Sequence, residues 1–248
     1  MAEFLHERRD FDQLLAVVAS ERGIDPVLVE KDYWIMHGLW GLQAQGFVFE
    51  LKGGTSLSKG FGVIHRFSED IDIRIEPPAD MEVKIGRNQD KPAHIASRKA
   101  YYDELAKRIR IPGIDSVERD TFFDDEKMRS AGIRLSYSSR LTTLAGVKDG
   151  ILLELGFDDT APNRPVSISS WALDFAIDRG ARVFDNRAVD MPQRTHSSRS
   201  SKPFRPSTDG WHRHKNFQPT SCVTITGMRG KPASFRSEMN SADAAGIQ

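Results

Sequence analysis

Lys52-Gly-Gly-Thr-Ser-Leu-Ser-Lys59, a spacer from Gly60 to Phe67, then Ser68-Glu-Asp-Ile-Asp-Ile73: this stretch decides the fold. Residues i and i+2 of a strand share a face. If Ser68 to Ile75 is extended, Asp70 and Asp72 project together, their Cα atoms about 7 Å apart by the strand rise. Ile71 and Ile73 then face the core. Two carboxylates on one face repel unless a cation lies between them, and hard oxygen ligands at this spacing suit Mg²⁺. Upstream, Phe47-Val-Phe-Glu-Leu51 is an apolar run that stops at Gly53-Gly54, as a buried strand entering a tight turn does. A helix is expected from Thr55, with Leu57, Phe61 and Ile64 on one face. The glycines let the backbone approach a ligand. The free N–H groups at the helix start favour an anion, and the hydroxyls of Thr55 and Ser56 add donors. A phosphate turn followed by a carboxylate strand is the apparatus of nucleotidyl transfer, with metal ions at the attacking and leaving oxygens. The turn is not a Walker A loop, because no Gly-Lys-Ser/Thr ends it. Taken singly, Gly-Gly-Thr reads as an ordinary turn and Asp-x-Asp as a solvated strand edge; their order and spacing favour a site.

Working outward, residues 4–20 carry Phe4, Phe11, Leu14, Leu15 and Val18 at helical spacing, and Gly23 ends that helix. Asp25-Pro26 starts a second one, which runs to about Leu42. Residues 79–96 read as a polar loop and 97–110 as a charged helix. Ile133 to Tyr137 and Ile151 to Phe157 read as strands, with a hairpin-type turn at Asp149-Gly150. The architecture to Asp190 is mixed α/β, with no internal repeat.

The quoted stretch is similar to the first motif of the AbiEii/AbiGii toxins, within the DNA polymerase β-like nucleotidyltransferases. Glu30-Lys-Asp-Tyr-Trp34, Leu153-Glu-Leu-Gly-Phe-Asp-Asp159, Asn163-Arg-Pro165 and Ser169-Ser-Trp171 also resemble family segments, so the resemblance covers about residues 5–190. It implies an α+β core with a mixed sheet flanked by helices: N-terminal helices over 1–45 and a catalytic core over 46–190. It implies Asp70 and Asp72 as catalytic metal ligands, and a third carboxylate on a later strand. Glu154 is the candidate for the third, as the only acid within Ile151 to Phe157, where a charge is costly unless paired or bound to metal. Asp158 and Asp159 fit a turn better. Gly53, Gly54, Thr55, Ser56 and Lys59 are the expected nucleotide contacts. Lys52, Lys59 and Arg66 could screen phosphate charge but rank below Ser56, since each also reads as an ordinary solvated cation, and Lys31 and Asp32 also read as helix-surface charges. His37, His65 and His94 show no ligand spacing. The resemblance further implies a bacterial toxin using an NTP and Mg²⁺, a cognate antitoxin, and, for several members, tRNA as acceptor. Two other classes compete: a small-molecule nucleotidyltransferase, and a non-catalytic remnant that binds nucleotide or antitoxin.

Composition bears on these alternatives. The 248-residue chain is formally neutral, but residues 191–248 hold nine Lys/Arg against three Asp/Glu, so the last part carries +6 and residues 1–190 carry −6. An RNA binder usually shows a basic patch, so the acidic body favours a small acceptor. Cys222 is the lone cysteine, which excludes an internal disulfide and suits a reducing cytoplasm. No signal peptide is apparent, and no apolar run approaches the roughly 20 residues that span a bilayer. Residues 191–248 contain no Leu, against sixteen in 1–190. They show no period and read as a disordered basic tail. A sharper expectation is translation in a shifted frame. Over Thr195 to Lys202 the degenerate code permits Thr-Phe-Val-Glu-Lys-Leu-Gln, a run with which family members continue. In that case the family's later motifs are missing and the toxin is inactive.

Overall fold

The computed structural model describes residues 2–60, 67–142, 148–158 and 163–194, all within the unit Met1–Arg199. The fold is mixed α/β, as the motif order requires. Helix α1 (Phe11–Arg22) ends on Gly23 in the left-handed conformation, φ 65°. It starts later than the apolar spacing suggests. Leu5–Glu7 forms a single 3₁₀ turn, and extended Arg8 forks onto Asp10 at 2.8 Å, so the helix begins only at Phe11. Helix α2 (Pro26–Ala44) starts as expected: the Asp25 carboxylate accepts from the Val27 amide at 2.8 Å, and Pro26 sits in the first turn.

Seven strands form one sheet: β1 (Phe49–Lys52), β2 (Asp70–Ile75), β3 (Ser116–Asp120), β4 (Ser130–Ser136), β5 (Ile151–Gly156), β6 (Asn163–Ile168) and β7 (Ala188–Arg194). Their order is β3-β4-β5-β2-β1-β7-β6. β2–β5 and β1–β7 pair in parallel and the other neighbours antiparallel. Three further α-helices are the single turn α3 (Gly53–Thr55), α4 (Pro92–Arg108) and α5 (Trp171–Asp178), beside a π turn at Ser56–Gly60 and a 3₁₀ turn at Thr121–Phe123. Among the described residues no helix is long and apolar enough to cross a membrane.

One face of the sheet is the core. Ile71, Ile73, Leu153, Ile133 and Leu135 are fully buried there, each worth roughly 1.5–3 kcal/mol of apolar burial. Helix α2 lies directly on this face: a Cβ added to Gly38 would meet Leu135, Ile71 and Ile151 at 3.6–3.9 Å. From Val29 to Leu39 every residue of α2 is buried, including Glu30, Lys31, Asp32 and His37. His37 is a core residue. Its Nε2–H donates to the Pro112 carbonyl and its Nδ1 accepts from the Asn186 amide, both at 2.8 Å. Burial pushes its pKa down to about 4.

Other boundaries differ in ways that have local causes. α4 begins at Pro92, within the expected loop, because Pro is well placed in a first helical turn. β4 and β5 are antiparallel neighbours as expected, but residues 137–150 join them, so Asp149-Gly150 is the end of a long connection rather than a tight hairpin. β3, β6 and α5 are further elements, and β7 corrects the tail boundary expected at 191: Met191 to Arg194 pair with β6 and Met191 is buried, so these four residues belong to the sheet and not to a disordered tail. The predicted face of Leu57, Phe61 and Ile64, together with His65, Arg66, Asp159 and the 195–248 tail, lies outside the described residues or side chains.

Candidate active site

Directly opposite residues on neighbouring strands project to the same face. Asp72 is opposite Lys52 on β1 and Glu154 on β5. Along β2, Asp70, Asp72 and Arg74 are half-buried while Ile71, Ile73 and Ile75 are buried. Asp70, Asp72 and Glu154 therefore share the face turned away from the isoleucine core. The period-2 alternation of Asp70 to Ile75 and the isolation of Glu154 in an apolar strand produce this placement.

The glycine turn closes onto it. Gly53 has φ 69°, and a Cβ there would stand 1.8 Å from Asp72 Oδ2. Only glycine fits, both for the backbone angle and for the carboxylate pressed against it. Thr55, buried, donates from Oγ1 to the Asp70 carbonyl at 2.8 Å and ties the turn to the carboxylate strand. Gly54 and Ser56 are buried beside it, and the helical backbone continues through a wider π-type turn, Ser56–Gly60. Lys59 leaves this turn toward α2. Its ammonium pairs with the buried Asp32 carboxylate at 2.6 Å and lies 4.1 Å above the Trp171 ring. The other Asp32 oxygen accepts from the Trp171 amide at 2.8 Å. Lys59 thus pins the turn to the core.

Asp72 and Glu154 are direct cross-strand neighbours, so two of the three carboxylates crowd each other. Burial, the Asp72 charge and a hydrogen bond shared with Asp72 push the Glu154 pKa up to about 7. Asp70 is drawn instead to the half-exposed Lys148 ammonium, 3.4 Å from its Oδ2. Lys148 had no signal in the sequence, being a loop lysine without periodic neighbours. Lys52 crosses to β5, its Nζ 3.1 Å from where a Gly156 Cβ would stand.

The donor chemistry fits a divalent cation. The candidate donors are all carboxylate oxygens, and Asp72 and Glu154, which share a hydrogen bond, would suit a hard cation between them. The full set does not converge here: among the described residues no group of three or more His, Cys, Asp or Glu stands ready to hold a metal, and Asp70 lies beside Lys148.

The raised Glu154 pKa has a measurable consequence in metal-free buffer. The folded chain retains a proton that the unfolded chain loses above its ordinary carboxylate pKa. Glu154 therefore lowers stability as pH rises from about 4.5 to about 7. Glu154→Gln lacks this term. With a discount for partial exposure, it should gain on the order of 1–2 kcal/mol over the wild type above pH 7. Paired thermal melts at pH 4.5 and pH 8 check this, and a melting difference independent of pH contradicts it.

The family model for the nucleotidyl transferase AbiEii toxin, type IV toxin–antitoxin system, matches residues 40–190. No curated protein matches the chain. Among solved structures, MenT4, a nucleotidyltransferase toxin from Mycobacterium tuberculosis H37Rv, is similar at 18% identity and a TM-score of 0.45, over 73% of this chain. The match covers 55% of the length of that structure.

Proposed function

Since the chain belongs to the AbiEii nucleotidyltransferase toxin family, we propose that it transfers a nucleoside monophosphate from an NTP to a hydroxyl acceptor, tRNA in the first instance. The observation that carries this is the contact of the Gly53 backbone with the Asp72 carboxylate, with Glu154 beside it. A phosphate placed on the glycine turn lies against the carboxylates. Asp72 and Glu154, joined by Asp70 once it leaves Lys148, would hold Mg²⁺. Bound there, it would supply charge neutralisation for the transferring phosphoryl group. The Gly53-Gly54 backbone and Ser56 position the triphosphate. The acceptor oxygen bonds to the α-phosphorus as the bond to pyrophosphate breaks, and the hydroxyl proton passes to a carboxylate of the trio. Most of the rate then comes from positioning and charge stabilisation.

A cognate antitoxin restrains this activity in the proposal. Residues 191–248, if out of frame, deprive the chain of the family's later motifs and leave it inactive; the nucleotide sequence around codons 187–196 decides this. The net charge of −6 over residues 1–190 favours one second reading, transfer to a small amino-sugar acceptor. Incubating the full chain with labelled NTP, Mg²⁺ and either total tRNA or a panel of amino sugars separates the two. Label on tRNA alone supports the first reading and label on an amino sugar the second. Label on neither contradicts transfer.

A further inference from the structure

Three consecutive charged residues of α2 are buried beneath the sheet, and each holds a different segment. The Glu30 carboxylate accepts from Ser139 Oγ at 2.5 Å and from the Arg140 amide at 3.2 Å. Asp32 holds Lys59 and the Trp171 amide. Between them, the Lys31 ammonium donates to the carbonyl of Lys148 at 2.5 Å and to that of Gly150. Among the described residues Lys31 forms no ion pair, although it is 1% exposed. A buried ammonium without a carboxylate is expensive, and burial pulls its pKa down. The charges that partly offset this are Glu69, just before the carboxylate strand, Asp70 on it, and Asp149 in the held segment, with Arg134 acting against them.

The segment that Lys31 holds carries Lys148 to the site. The Lys148 amide donates to Glu69 Oε2 at 3.1 Å, its ammonium stands 3.4 Å from Asp70 Oδ2, and the same charge acts on Glu154. Backbone and side chain of Lys148 are thus fixed from three sides, with the ammonium half-exposed over the carboxylates. Were Asp70 to bind a divalent cation, the Lys148 ammonium would be available to a phosphate on the same face.

We propose that Lys148 contacts the phosphates of the bound nucleotide and that Lys31 is its positioning residue, clamping the Lys148–Gly150 backbone from beneath the sheet. This rests on the transferase reading above. A merely structural Lys31 would stabilise the loop with no link to ligand; a positioning Lys31 acts through Lys148 and loses its effect when Lys148 is gone.

The test compares the full-length wild type with Lys31→Met, Lys148→Ala, Lys148→Arg and the Lys31→Met/Lys148→Ala double variant. Hydrogen exchange is followed over 148–150, and affinity for Mg²⁺–ATP, –GTP, –CTP and –UTP is measured by calorimetry. Exchange over 148–150 should quicken about tenfold in Lys31→Met while 151–156 is unchanged. Nucleotide affinity should fall about tenfold in Lys31→Met and in Lys148→Ala, and no further in the double variant, as one charge-assisted contact predicts. Lys148→Arg should keep most of it. If Lys31→Met does not fold, the Lys148 pair still decides: Lys148→Ala binding like the wild type overturns the proposal. Additive losses in the double variant, or unchanged exchange in Lys31→Met, overturn the positioning role. A wild type that binds none of the four nucleotides overturns the nucleotide contact together with the transferase reading.

Discussion

Asp72→Asn should lower nucleotidyl transfer by roughly a thousandfold or more while leaving the fold at least as stable as the wild type. The loss follows from removing one charged ligand at the position where Gly53 and Glu154 converge: metal stabilisation of transition-state charge is worth several kcal/mol, and about 1.4 kcal/mol is tenfold in rate. The retained stability follows from the same crowding. Burial first and Asp72 second push the Glu154 proton affinity up, so neutralising Asp72 relieves repulsion in metal-free buffer. Single-turnover label transfer, paired with a melting curve in chelator, reads both effects. An inactive variant that also melts far below the wild type would point to a structural role instead.

The second large effect is on stability. Asp32→Ala leaves the Lys59 ammonium, 14% exposed, facing the Trp171 ring and the Ser169 carbonyl with its carboxylate gone. Breaking a buried pair from one side typically costs about 3–5 kcal/mol, a large share of a domain's total stability. Burial pushes the Asp32 carboxyl up and pulls the Lys59 ammonium down, so each depends on the other to stay charged. Replacing both, as Asp32→Leu with Lys59→Met, should recover much of the loss. Because Lys59 lies on the helical segment that begins at Gly53, the single variant should also loosen the glycine turn. Urea unfolding of the two single variants and the double provides the check, and strictly additive losses would show that the pair is not coupled.

The placement of the candidate site residues was legible in the sequence where its signals are short-range. Strand alternation put Asp70 and Asp72 on one face, a paired glycine before a helix marked the turn, and a single acid in an apolar strand marked Glu154. Asp25-Pro26 and Gly23 fixed helix ends through local backbone chemistry. What stayed hidden depends on partners distant in the chain. Lys31 and Asp32 look like solvent-facing helix charges until the Lys148–Gly150 carbonyls and the Trp171 amide are brought to them. Lys148 matters only because the connection into β5 is held against β2. β7 lacks alternation, contains Pro192, and places Asp190 at φ 51°, so nothing local marks it as a strand; its pairing with β1 and β6 does.

Calorimetric titration of the full-length chain with each of the four Mg²⁺–NTPs, beside Asp70→Ala, tests most directly whether the carboxylate face and glycine turn form one nucleotide site. At least one nucleotide should bind the wild type, and that same nucleotide should bind Asp70→Ala about tenfold or more weakly, as expected for loss of a charged metal ligand. Equal affinity in the two chains would contradict the assignment.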